Sequence, residues 1–213
     1  MEPAILDVHP PHQAAHSWKD FFIHIATIVI GLLIAIGLEQ TVEYFHHRHL
    51  LHQAEDNLHS EIQDNRQTLA ADEKQLAETE HRMEDNLKIL ADLKAHRVPT
   101  EKFGLQWEWN GLQSAAWDTA RNTGAIALMS YETAEDYSVI YSQQSLVNDQ
   151  AWVYIRDVYK CGRPVATRKV EDLQPEEIDE AIVNSKQTLT DVHYLRDLMQ
   201  SLNKIYQSED KAL

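Results

Sequence analysis

Four histidines, His46, His47, His49 and His52, crowd a stretch without proline or glycine. On a helix, His49 shares a face with His46 and His52, three residues to either side. Imidazoles so placed are candidates to bind zinc or copper, or to titrate together near neutral pH. One helix supplies only part of a ligand set, so a polar helix surface is the preferred reading and no cofactor is expected. Two Glu-x-x-His pairs, Glu43/His46 and Glu78/His81, have the spacing that di-iron bundles use. Both fall on one predicted helix, about 50 Å apart at 1.5 Å per residue, and cannot share a metal within one chain.

Aromatic residues offer a second chemistry. Trp107, Trp109, Trp117, Tyr131, Tyr137, Tyr141 and Trp152 lie in the middle of the chain and could line a pocket for a small ligand. In helical bundles such rings more often fill the core, which is expected to be densest between Phe103 and Tyr159. Arg156, Lys160, Arg163, Arg168 and Lys169 form a basic patch that either meets an acidic partner or offsets nearby carboxylates. The lone Cys161 is expected to be a small buried side chain. The sequence holds no glycine-rich phosphate loop, Gly-x-Ser-x-Gly elbow, His-Glu-x-x-His or paired Cys-x-x-Cys, so no catalytic signature is evident.

The elements that must position these residues begin with Trp18 to Leu38, the one stretch long and apolar enough to cross a bilayer. At the helical rise it reaches roughly 30 Å, the thickness of the hydrocarbon core. Residues 1–17, with Pro3, Pro10, Pro11, His9, His12 and His16, read as a flexible tail. Ala35-Ile36-Gly37 has the small-x-small form of a signal-peptidase site. The preceding region lacks net positive charge and the apolar run is long, so a retained anchor is expected. Thr27, Gly31 and Ala35 make a strip of small residues, with His24 one turn before it and Glu39 one turn after. Such a strip lets a partner helix approach closely in lipid. Lys19 and Arg48 flank the span evenly, and the soluble part is placed outside the cytoplasm as in signal-anchor proteins.

Nothing breaks the helix after Glu39 until Pro99, so residues 39–98 are predicted to continue it. Ile62, Leu69, Leu76, Met83 and Leu90 recur every seven residues, with Leu51, Leu58 and Leu93 in a companion position that Asn65, Asp72, Thr79 and Asn86 occupy in between. A free dimer seam would carry Leu there, so this helix is expected to pack against its own chain. Residues 99–213 are read as a helical domain: a break over Val98–Gly111, helices over Leu112–Asn122, Tyr131–Gln144 and Leu146–Lys160, and a long helix from Pro175 to the end. The predicted fold is all-α, a transmembrane helix continuing into a bundle with shorter helices and a long C-terminal helix. A net charge of −15 over 213 residues argues against nucleic acid as a partner.

The anchor FFIHIATIVIGLLIAIGLEQ, the acidic helix EDNLHSEIQDNRQTL and the segment AAWDTARNTGAIALMSYETAEDYSVIY resemble a group of bacterial single-span, membrane-anchored helical proteins of unknown function. Members share a Gly-Ile/Leu-Leu-Ile-Ala anchor and a Trp-x6-Gly element, here Trp117 to Gly124. The resemblance implies a bacterial inner-membrane protein with one anchor and carries over no activity. The expected function is a structural or interaction subunit that meets the lipid bilayer and either copies of itself or other membrane subunits. A membrane-tethered sensor or small-molecule-binding module is the alternative.

Overall fold

The structure, a computed structural model, describes residues 18–209, so the expected tail and its histidines lie outside the described residues. Among the described residues it is all-helical. Helix α1 runs Trp18–Lys94, α2 Ala115–Asn122, α3 Tyr131–Gly162 and α4 Pro175–Glu209, with short 3₁₀ turns at Ala125–Leu128, Arg163–Val165 and Val170–Asp172. The chain divides into two units, Met1–Leu50 and Leu51–Leu213.

In the first unit every residue from Trp18 to His49 is exposed. The most apolar eighteen-residue window of α1 has a mean hydropathy of 2.6, and none of it is buried within the chain. Among the described residues this is the one helix long and apolar enough to cross a membrane.

The second unit is a bundle built on seven-residue spacing. Leu58, Ile62, Leu69, Leu76, Met83 and Leu90 are all buried, as are Ile140, Val147, Tyr154 and Val158 of α3 and Val192, Leu195, Met199, Leu202 and Tyr206 of α4. Burying each such side chain contributes roughly 1.5–3 kcal/mol, so these stripes dominate the drive to fold. At the end reached by Lys94, a further cluster joins Ile89 and Leu90 to Val170, Leu173, Ile178 and Ala181.

Three boundaries differ from the sequence reading. The helices expected at Tyr131–Gln144 and Leu146–Lys160 are one helix, because Ser145 is no breaker and the buried faces on either side are continuous. Its N-terminus is capped by Ser130, whose Oγ accepts from Thr133 N at 3.1 Å. The helix expected from Leu112 starts only at Ala115. Helix α1 stops at Lys94, not Val98, and before any proline. His96 there adopts a left-handed φ of 55°, and the chain closes with Arg97 N donating to Asp92 O at 2.8 Å and His96 N to Leu93 O at 3.0 Å. This is a Schellman stop, in which the left-handed position favours glycine. Replacing His96 by Gly removes the Cβ strain there, and urea denaturation should show a gain of about 0.5–1 kcal/mol.

Candidate functional site

Seven-residue spacing in α1 places a second row beside the apolar one: Asn65, Asp72, Thr79 and Asn86, all buried. What these residues meet is the extended segment 101–114, which runs antiparallel to α1. Asn65 takes the Gln113 N–H at 2.8 Å and gives Nδ2 to its carbonyl at 2.8 Å. Asp72 accepts from Asn110 N at 3.0 Å and Asn110 Nδ2 at 2.7 Å through Oδ1, and from Gly111 N at 3.2 Å through Oδ2. Thr79 Oγ1 lies 3.2 Å from Gln106 O and accepts from Tyr154 Oη at 3.0 Å. Asn86 holds both the N–H and the carbonyl of Gly104, at 3.0 and 2.7 Å.

The lengths explain the spacing. From Asn65 to Asn86 a helix rises about 31 Å, and from Gly104 to Gln113 an extended chain spans about 30 Å. Each seven-residue step therefore meets about three extended residues. A loop laid on a core would otherwise carry unpaired N–H and carbonyl groups, and the row supplies their partners. Across the segment, Asn148 of α3 grips Leu112 in the same two-handed way, at 3.0 and 2.8 Å. Leu112 and Gln113 are thereby held outside the helix, which is why α2 begins later than its sequence suggests. Glu61 then caps α2, accepting from Ala116 N at 2.9 Å and from Tyr141 Oη at 2.8 Å. Gln144 links Asn65 to Tyr206, whose hydroxyl burial pushes up to about 12.

The aromatic residues do not converge. Trp117 stacks on Tyr141, with ring centroids 5.1 Å apart and an interplanar angle of 9°. Trp107 meets Tyr159 edge-on at 5.6 Å. Trp109 and Tyr137 are half-buried, while Tyr131 is 84% and Trp152 67% exposed. Tyr131 and Trp152 are separated by about 31 Å of α3, too far to line one small-molecule pocket. The core is correspondingly aliphatic, with Tyr154 and Tyr206 its largest fully buried side chains and none of the tryptophans among them.

His24, Thr27, Gly31, Ala35 and Glu39 are all exposed, and a Cβ added at Gly31 would meet nothing within 4 Å. Thr27 Oγ1 donates to Ile23 O at 2.9 Å, so its hydroxyl is satisfied inside its own helix. Among the described residues the strip is thus left uncovered.

Among the described residues no three His, Cys, Asp or Glu side chains gather as a metal site, around His46, His49 and His52 or elsewhere. The Glu-x-x-His pairs do not form either. Glu43 lies 3.8 Å from His47, and His81 bonds Asp85 at 3.1 Å. Most of the basic patch serves the fold: Arg156 and Lys160 bond Asp157 at 3.1 and 2.6 Å, and Arg168 bonds Glu177 at 2.8 Å. Cys161 is buried, 3.2 Å from Thr188 Oγ1, and burial pushes its thiol up, away from nucleophilic use.

Two carboxyl arrangements were not legible in the sequence. Glu80 of α1 receives Arg196 on both oxygens and lies 2.8 Å from His193 Nε2, both residues on α4; the Arg196 hydrogen bonds hold Glu80 below the usual carboxylate range. Asp157 of α3 and Asp191 of α4, 4% and 8% exposed, act on each other's ionisation. Burial, then the bond to Asp157, pushes Asp191 up. Burial also opposes ionisation of Asp157, but hydrogen bonds from Lys160, Arg156 and Asp191 outweigh it and hold Asp157 low. Asp191 raised and Asp157 lowered is the arrangement in which Asp191 keeps its proton longer than Asp157 does. Comparison with family models, with curated proteins and with solved structures finds no match to this chain.

Proposed function

We propose that the chain is a single-span, membrane-anchored structural or interaction subunit. Residues 18–38 cross the bacterial inner membrane, the bundle stands on the periplasmic side, and the span packs against copies of itself or other membrane subunits through Thr27, Gly31 and Ala35. The observation that carries this reading is the eighteen-residue apolar window of which none is buried by the chain's own fold. Apolar surface of that extent in water has no compensation, and lipid supplies it. The polar groups of the bundle point the same way, since Asn65, Asp72, Asn86 and Asn148 are taken up in holding segment 101–114 in place and Glu61 in capping α2.

Native mass spectrometry after extraction from membranes in a gentle detergent tests the proposal. A closed set of copies, or a stoichiometric complex with another membrane protein, is expected. Gly31→Leu should weaken that assembly about tenfold or more, because a side chain there holds the helices apart. Recovery of the unaltered chain only as a monomer, or in the fraction released by alkaline carbonate, would overturn it.

A further inference from the structure

Beside the end of α3, residues 102–105 and 162–171 enclose a groove of about 710 Å³. That volume is in the range of small-molecule sites. We infer that this groove binds an amphipathic organic anion, its apolar body on Phe103, Leu105, Val165 and Val170 and its charged head between Lys102 and Lys169. The proposal goes beyond the membrane-subunit reading and does not depend on it.

The walls are fixed. Phe103 and Val165 pack on the buried cluster that includes Leu90, Val170 and Leu173. Gly104 is held at its N–H and carbonyl by Asn86, which sets the height of the neighbouring Leu105. Leu105 in turn lies over Gly162, where a Cβ would come within 2.5 Å of Leu105 Cδ1. The groove is therefore a made shape with an apolar floor.

The charge on its rim selects the ligand. Of the other cations nearby, several pair with carboxylates: Lys94 with Asp179, Arg156 and Lys160 with Asp157, Arg168 with Glu177. Lys102 and Lys169 have no ion pair among the described residues, in a chain of 34 acidic residues against 19 basic ones. Glu171 stands on the same rim and offsets one of them. The rim thus keeps a net positive charge over an apolar floor. That suits a single carboxylate or phosphate head on a hydrophobic body, and disfavours a polyanion.

Calorimetric titration of the full chain in phosphatidylcholine nanodiscs with 2-naphthyl phosphate tests this, with 2-naphthol and inorganic phosphate as the neutral and the purely ionic counterparts. Saturable one-to-one binding of 2-naphthyl phosphate is expected, about tenfold or more tighter than either counterpart. The double variant Lys102→Gln with Lys169→Gln should weaken it about tenfold or more, and Ala166→Trp, which fills the groove from its exposed side, should abolish it. Both substitutions lie on the surface, and circular dichroism checks that the helices remain. Absence of saturable binding, equal affinity for either counterpart, or unchanged affinity in the double-lysine variant would each overturn the proposal.

Discussion

Asp72→Ala should destabilise the bundle by about 3–5 kcal/mol, a large share of the 5–15 kcal/mol typical of a domain. Asp72 is 0% exposed and accepts three hydrogen bonds from Asn110 and Gly111. Alanine leaves two backbone N–H groups of a half-buried segment without partners, each costing about 1–3 kcal/mol, and opens a void besides. Asp72→Asn keeps one acceptor oxygen and should cost about half as much. Asp64→Ala, at an exposed position of the same helix, should stay within about 0.5 kcal/mol. Urea denaturation gives the totals, and hydrogen exchange gives the place. Amides of Gly104, Asn110, Gly111, Leu112 and Gln113 should be protected in the unaltered chain, whereas those of Leu105, Trp107 and Trp109, which make no hydrogen bond among the described residues, should exchange quickly. In Asp72→Ala the protection at Asn110 and Gly111 should go first. A cost below about 1 kcal/mol would mean that side-chain contacts, not the polar row, hold the segment.

That segment also marks where sequence reasoning stopped. The stripe from Ile62 to Leu90 follows from helical periodicity and is buried as expected. On α4 Ile178, Val192, Leu195, Met199, Leu202 and Tyr206 share the same period and are buried, while Ile182 and Leu189 are half-buried. The all-helical class was legible too, because residues 39–94 offer no breaker. The row Asn65, Asp72, Thr79 and Asn86 was visible as a departure from a leucine seam. Its meaning was not, because its partners are backbone groups some eighteen to forty-eight positions away, and backbone groups are the same in every sequence. The run Leu105, Trp107 and Trp109, alternating with polar residues, has the period of a strand, but the edge it pairs with is a helix. The aromatic rings misled for a related reason. Their density along the chain says nothing of angle, and on α3 Tyr131 and Trp152 point to solvent while Tyr141 and Tyr154 point inward. A polar residue repeating every seventh position within an apolar stripe is the signal that a reader could have used.

The second large effect is a dependence of stability on pH, centred on Asp157 and Asp191. Asp191 has its folded value raised, so its contribution is complete below the ordinary aspartate range and is lost as pH rises through the raised value. Asp157 is held low, so its contribution is present above the ordinary range and is lost as pH falls through the lowered value. The two limbs leave the α3–α4 contact strongest at weakly acidic pH, where one carboxyl keeps its proton and the other has lost it. Above that window a second negative charge must form in a site with Arg156 and Lys160 on one side and Gln187 of α4 on the other. Each unit of pKa elevation is worth about 1.4 kcal/mol, so the loss is measurable even for a modest shift. Asp191→Asn keeps a donor toward Asp157 and cannot ionise. Its melting temperature should therefore hold steady from weakly acidic to alkaline pH while that of the unaltered chain falls, and the two curves should cross or meet on the acidic side. Asp157→Asn removes the charge that pairs with Arg156 and Lys160 and should instead lower stability above the ordinary aspartate range, the difference closing as pH falls. Parallel curves for the unaltered chain and Asp191→Asn would mean that both carboxyls ionise without cost and that no proton on Asp191 holds α3 to α4.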